Sequence, residues 1–127
     1  MKTTIILFLC FIAFAFTLVN KPSGKWKLEK VEADGKTILP ESEKFIMIVS
    51  DAKIDYFDGC NWCLREIDSM NTVSIQLKGH NNCTKKACVN LDPIAKYIDY
   101  SGKYKLQDSL LIITNTKGKL YLIKEKE

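Results

Sequence analysis

Histidine is almost missing from this chain: His80 is the only one in 127 residues. Chemistry built on an imidazole therefore has one place to sit, the Gly79-His80-Asn81-Asn82 stretch ahead of Cys83. That stretch reads as a polar loop before it reads as a general base or a metal ligand. A Gly-rich phosphate loop and a Ser-centred nucleophile elbow are also missing. Asp55, Asp58, Glu66 and Asp68 are the carboxylates that could pair. They flank a turn, and suit turn formation and outward strand positions better than acid–base work. An enzyme needs nucleophile, base and stabiliser brought together. The chain is read as non-catalytic, with no cofactor and no metal.

Repeats, low-complexity tracts and long linkers are absent, which leaves one domain. A basic stripe is absent too. Lys and Arg number 19 against 15 Asp and Glu, for a net charge of +4, and only Lys85-Lys86 are adjacent. Nucleic-acid binding calls for clustered positive charge with base-reading partners, so the mixed charge is read as a solvated surface. One long apolar run does occur, from Ile5 to Phe16, after Lys2 and with small residues at Ala13 and Ala15. This is the layout of a secretory signal peptide, giving a signal over residues 1–19 and a domain over 20–127. The uncharged stretch is at the lower limit for a membrane span, so a retained anchor is the alternative and the only membrane contact expected. Cys10 follows Leu9 in mid-run and does not fit a lipoprotein acylation site.

Beyond the leader, alternation of apolar and polar residues dominates. Trp26 and Leu28 share a strand face, and Trp26 is expected in the core. Asp34-Gly35 is a hairpin turn signal. Phe45 to Val49 reads as a buried strand, and Ile54 with Tyr56 as the next, closing at Asp58-Gly59. Val73, Ile75 and Leu77 give the clearest period of two. Tyr104 with Leu106, Leu110 to Ile113, and Leu120 to Ile123 complete the set, with a turn at Asn115 to Gly118. One helix of about two turns is expected, from the Asp92-Pro93 start and the Ile94, Tyr97, Ile98 stripe. The expected fold is mainly β, a small antiparallel sheet or partly closed barrel of about seven strands with one short helix packed on it.

Four cysteines, at 60, 63, 83 and 88, fall behind the leader. They allow three connectivities, among which sequence does not choose. Export favours pairing. A Cys60–Cys88 bridge would restrict the unfolded chain by about 3.5 kcal/mol, with Cys63 and Cys83 nested inside it. A Cys60–Cys63 bridge would constrain little. A four-thiolate zinc site and a redox Cys60-Asn61-Trp62-Cys63 motif are the rivals. The second spacing is wide for the former, and no strand-to-helix context supports the latter.

The chain resembles the META domain family, which includes the HslJ-type heat-shock envelope proteins. The resemblance is carried by Trp26 and Leu28, by Gly59, Cys60 and Asn61, and by Thr84, Ala87 and Cys88. It departs at Arg65-Glu66-Ile67, where the family has a Gly-x-Tyr-like step, and the nearest acidic residue after Cys88 is Asp92. Cys63 and Cys83 are additions to the pattern, and a second bridge is expected between them. The resemblance implies an exported accessory protein of the cell envelope, periplasmic or extracellular, linked to stress response and without a catalytic mechanism.

The expected function is binding of an unidentified protein or envelope partner by a monomer. Trp62 is a contact anchor or a lid over the disulfides, and His80 and Asn81 are the other candidate contacts. A lipocalin-like carrier is the alternative, prompted by Gly24 and Trp26, and an inhibitor of a hydrolase is a further one, using Gly79 to Asn82 or the Trp62 turn. Intact mass of the exported protein, with and without reduction, tests the cysteine reading. The expected deficit is two hydrogens for each of two bridges, with no thiol open to alkylation.

Overall fold

The computed structural model describes residues 21–126; the proposed signal segment and Cys10 lie outside them. Trp26, Leu28, Val31 and Ala33 are the buried residues of β1 (Gly24–Ala33). The step from 28 to 31 breaks a period of two, and an irregularity in register between Leu28 and Lys30 absorbs it. Asp34 and Gly35, at φ 53° and 71°, then turn the chain into β2 (Lys36–Ile38), as the Asp-Gly signal predicts. The chain continues through β3 (Ile46–Val49), β4 (Lys53–Phe57), β5 (Trp62–Met70), β6 (Ser74–Leu77), the short β7 (Asn82–Cys83), β8 (Gly102–Gln107), β9 (Leu110–Asn115) and β10 (Gly118–Lys124).

Eight strands close an antiparallel barrel in the order β1-β3-β4-β5-β6-β8-β9-β10, with β10 returning to β1. The fold is thus mainly β and closed, with one more barrel strand than the sequence suggests. β2 and β3 lie along the same edge of β1, at Val31–Ala33 and Gly24–Lys27 respectively, while β10 takes the other edge. The interior is filled by side chains, among them Trp26, Met47, Ile54, Ile113, Leu120 and Leu122, each at most 2% exposed. No helix among the described residues is long and apolar enough to cross a membrane.

Two sequence expectations change. The helix is a single five-residue 3-10 turn, Pro93–Tyr97, capped by the Asp92 carboxylate on the Ile94 amide. Bonds from the Ala95 amide to the Asp92 carbonyl and from the Ile98 amide to the Ala95 carbonyl close it. Only Ile94 is fully buried and Ile98 is already extended, so the apolar stripe never gains a second turn. Conversely β5, nine residues long, has no counterpart in the sequence reading. Arg65 pairs across from the buried Ile54, at a position where alternation needs an apolar residue. Its guanidinium is held instead by the Lys78 carbonyl at 2.6 and 3.1 Å.

Two interior polar atoms, Trp26 Nε1 and the Tyr100 hydroxyl, have no hydrogen-bond partner among the described residues. The Tyr100 ring stands edge-on to Tyr56 at 5.5 Å. Burial, with Tyr56 adding, pushes its hydroxyl far above the ordinary phenol range, so it stays neutral. An unpaired buried hydroxyl costs stability. Tyr100→Phe is expected to stabilise the fold by about 1 kcal/mol, seen as a rise of several degrees in Tm. A loss of similar size in the same melt would mean that an enclosed water bonds the hydroxyl.

Candidate functional site

Strand directions gather the β4–β5 turn, the β6–β8 connection and the Asp34-Gly35 hairpin at one end of the barrel. At the β4–β5 turn, the Asp58 carboxylate accepts from the Cys60 and Asn61 amides at 2.8 and 2.6 Å. Gly59 has φ +107°, and a Cβ there would lie 2.6 Å from the Ala95 Cβ. Only glycine lets this turn press against the 3-10 turn. Asp92 also accepts from the Glu41 amide at 2.6 Å, and the Tyr97 hydroxyl reaches Asp34 at 3.2 Å. The 3-10 turn is therefore tied to the loops on either side of it.

Both nested bridges are present, Cys60–Cys88 and Cys63–Cys83. The first closes a separation of 28 residues and the second one of 20. Cys63 and Cys83 face each other across β5 and β7. Asp58 lies with the Cys63 and Cys83 sulfurs in one cluster, but these sulfurs are bonded to each other. Neither four thiolates for zinc nor a redox-active Cys60–Cys63 pair exists in this oxidised form. Two bridges mark a protein suited to an oxidising environment.

Asn61 sits between the bridges and uses its whole amide. Oδ1 accepts from the Thr84 hydroxyl at 2.9 Å and from the Lys86 amide at 2.7 Å. Nδ2 donates to the Lys86 carbonyl at 3.2 Å and towards the Cys60 sulfur at 3.3 Å. Thr84 completes the lattice, donating its amide to the Trp62 carbonyl at 2.9 Å and accepting the Trp62 amide on its hydroxyl at 3.2 Å. The Gly-Cys-Asn and Thr-x-x-Ala-Cys elements are thus one mechanical unit, in which Asn61 stands in for a missing strand neighbour of Lys86. Ala87 is exposed, and nothing in the structure explains it.

This unit holds up an exposed loop, residues 84–91. Trp62 is 46% exposed, with Val89 at 87% and Leu91 at 55%. The Trp62 ring leans on Phe57 at 5.8 Å, and Phe57 on Phe45 at 5.4 Å. Trp62 is therefore supported by Phe57 on one side and open to solvent on the other, and the ring it leans on is Phe57 rather than a disulfide. His80 and Asn81 are exposed and line a shallow recess with Leu64, Glu66, Lys78 and Asn82. The recess also holds a Lys78–Glu66 ion pair at 2.9 Å. The pair holds the Glu66 carboxyl below and the Lys78 ammonium above their usual ranges. Trp62 and Leu64 are alternate residues of β5, so the recess begins about 7 Å along the strand from the tryptophan.

Sequence reasoning did not single out Lys85, Val89 or Leu91. The signal for Lys85 was its place between two cysteines in the only adjacent pair of lysines; Val89 and Leu91, beyond Cys88, left none. No family model, curated protein or solved structure matches the chain. Replacing the clamp, Asn61→Ala, is expected to cost about 2 kcal/mol while both bridges still form. Hydrogen exchange at the Lys86 amide should accelerate most, because that amide alone loses its acceptor to the solvent-facing side.

Proposed function

We propose that this chain is an exported, non-catalytic protein that works by binding a protein partner on its braced loop end. The observation that supports the reading is the pairing of rigidity with exposure. Trp62, Val89 and Leu91 are open to solvent on backbone pinned by two bridges and the Asn61 clamp. Exposed large apolar side chains on a preorganised surface lower the entropic cost of association, and aromatic anchors of this kind dominate interface energetics. The cluster of Asp58 with bonded sulfurs and the exposed His80 supply no nucleophile–base pair.

Kinship with the META domain family belongs to the same proposal. It is supported by the way Gly59, Cys60, Asn61, Thr84 and Cys88 act as one unit rather than as scattered matches. A stress-associated role in the envelope, periplasmic or extracellular, is the setting this kinship implies, with the leader over residues 1–19 as its means. The filled interior counts against a small-molecule carrier, which needs a roomy apolar cavity.

A photo-crosslinker placed at position 89 in the exporting cell should trap one discrete protein. A crosslinker at Asp108, in the turn at the opposite end, should not. Trp62→Ser should abolish the first product with Tm changed by no more than a few degrees. Equal labelling from both positions would remove the loop end as the binding surface.

A further inference from the structure

The loop has an asymmetry that a generic contact surface does not need. Lys85 is exposed and makes no hydrogen bond or ion pair among the described residues. Lys86, next in the chain, has both its amide and its carbonyl engaged by Asn61 at 2.7 and 3.2 Å. On the other side of Lys85, the Thr84 amide bonds to the Trp62 carbonyl. That bond makes Cys63 and Cys83 a non-hydrogen-bonded pair of the ladder, whose N–H and C=O groups turn away from each other's strand. β7 pairs only with β5 and lies off the closed path of the barrel. Cys83 therefore offers a short open strand edge two residues before a free lysine.

An open edge, then a free basic side chain, then a clamped amide is the order in which a serine peptidase reads a substrate. Its cleft adds the residues before the scissile bond as an extra strand. An acidic pocket takes a basic side chain, and an oxyanion hole takes that residue's carbonyl. Lys86 cannot fill the second role, because its carbonyl is occupied by Asn61. Lys85 can.

We infer that residues 83–88 form a substrate-like inhibitory loop for a trypsin-like serine peptidase, with Lys85 in the specificity pocket. This rests on the binding reading above and names its partner class. In the complex, attack by the serine hydroxyl forms a C–O bond at the Lys85 carbonyl and breaks the C–N bond to Lys86. The serine proton passes through the peptidase histidine to the Lys86 nitrogen. Asn61 Oδ1 and the Cys60–Cys88 bridge hold that amine in place rather than letting it leave. It returns to the acyl carbon, re-forms the peptide bond and restores the serine proton by the reverse path. Preorganisation lowers the cost of binding, and the same hold on the leaving amine keeps the cut from being completed.

The test uses the oxidised protein against trypsin, chymotrypsin and a metallopeptidase, each assayed on a small chromogenic substrate. Trypsin alone should be inhibited, at a one-to-one ratio, with Kd below about 1 μM. Lys85→Ala should weaken inhibition by roughly thirtyfold or more, and Lys85→Phe should transfer it to chymotrypsin. Lys86→Ala should change it by no more than a few-fold. Melting curves of the three variants should match the parent, since both lysines are exposed. Rapid cleavage after Lys85 without inhibition would overturn the inference, as would no effect on trypsin. If trypsin is untouched while the position-89 crosslink persists and depends on Trp62, this inference fails and the binding reading stands. Loss of both results would remove both.

Discussion

The barrel depends on β1 serving three neighbours at once. Its first half pairs with β3, its last residues with β2, and its other edge with β10. A side-chain period of two cannot keep Trp26, Leu28, Val31 and Ala33 all inside, so the register must shift between Leu28 and Lys30. Without the extra residue, the second half of the strand would turn its apolar set outward. The loop end inherits this constraint. Asp34 follows β1 directly and receives the Tyr97 hydroxyl, the 3-10 turn seats Gly59, and Gly59 begins the turn that carries Cys60 and Asn61.

Bridges and clamp act on different states of the molecule. The disulfides restrict the unfolded chain, whereas Asn61 selects one arrangement of the folded one. Residues 84–91 have no regular structure and little burial, so ordering them costs conformational entropy that apolar packing does not offset. The amide of a single asparagine, satisfied on both sides, replaces the ladder a strand would have made. This is how a segment can stay open to solvent and still hold a shape.

Much of the fold was legible because buried strands alternate: Ile75 and Leu77, Leu110 to Ile113 and Leu120 to Ile123 lie in strands as the pattern predicts, whereas Val73 precedes β6 and is exposed. β5 escaped because Arg65 takes an inward-facing position and satisfies its charge on a carbonyl contributed from Lys78, thirteen residues away. The helix was overread, since an Asp-Pro start specifies where a turn begins and says nothing about how far packing will extend it. At the site, the resemblance drew attention to Gly59, Asn61 and Thr84, and export favoured paired cysteines, while spacing alone left three connectivities open. What these residues were for was not legible. The link from Asn61 to Lys86 spans 25 residues and leaves no periodic trace, so the loop it holds reads as ordinary polar sequence.

The pairing of β1 with β10 joins the first described strand to the last, Trp26 to Lys124. A ribosome delivers Trp26 roughly a hundred residues before its partner, and until then one edge of β1 has nothing to bind. Long-range closure of this kind is slow and comes late. The barrel therefore cannot close until β10 has left the ribosome, however early the other strands pair.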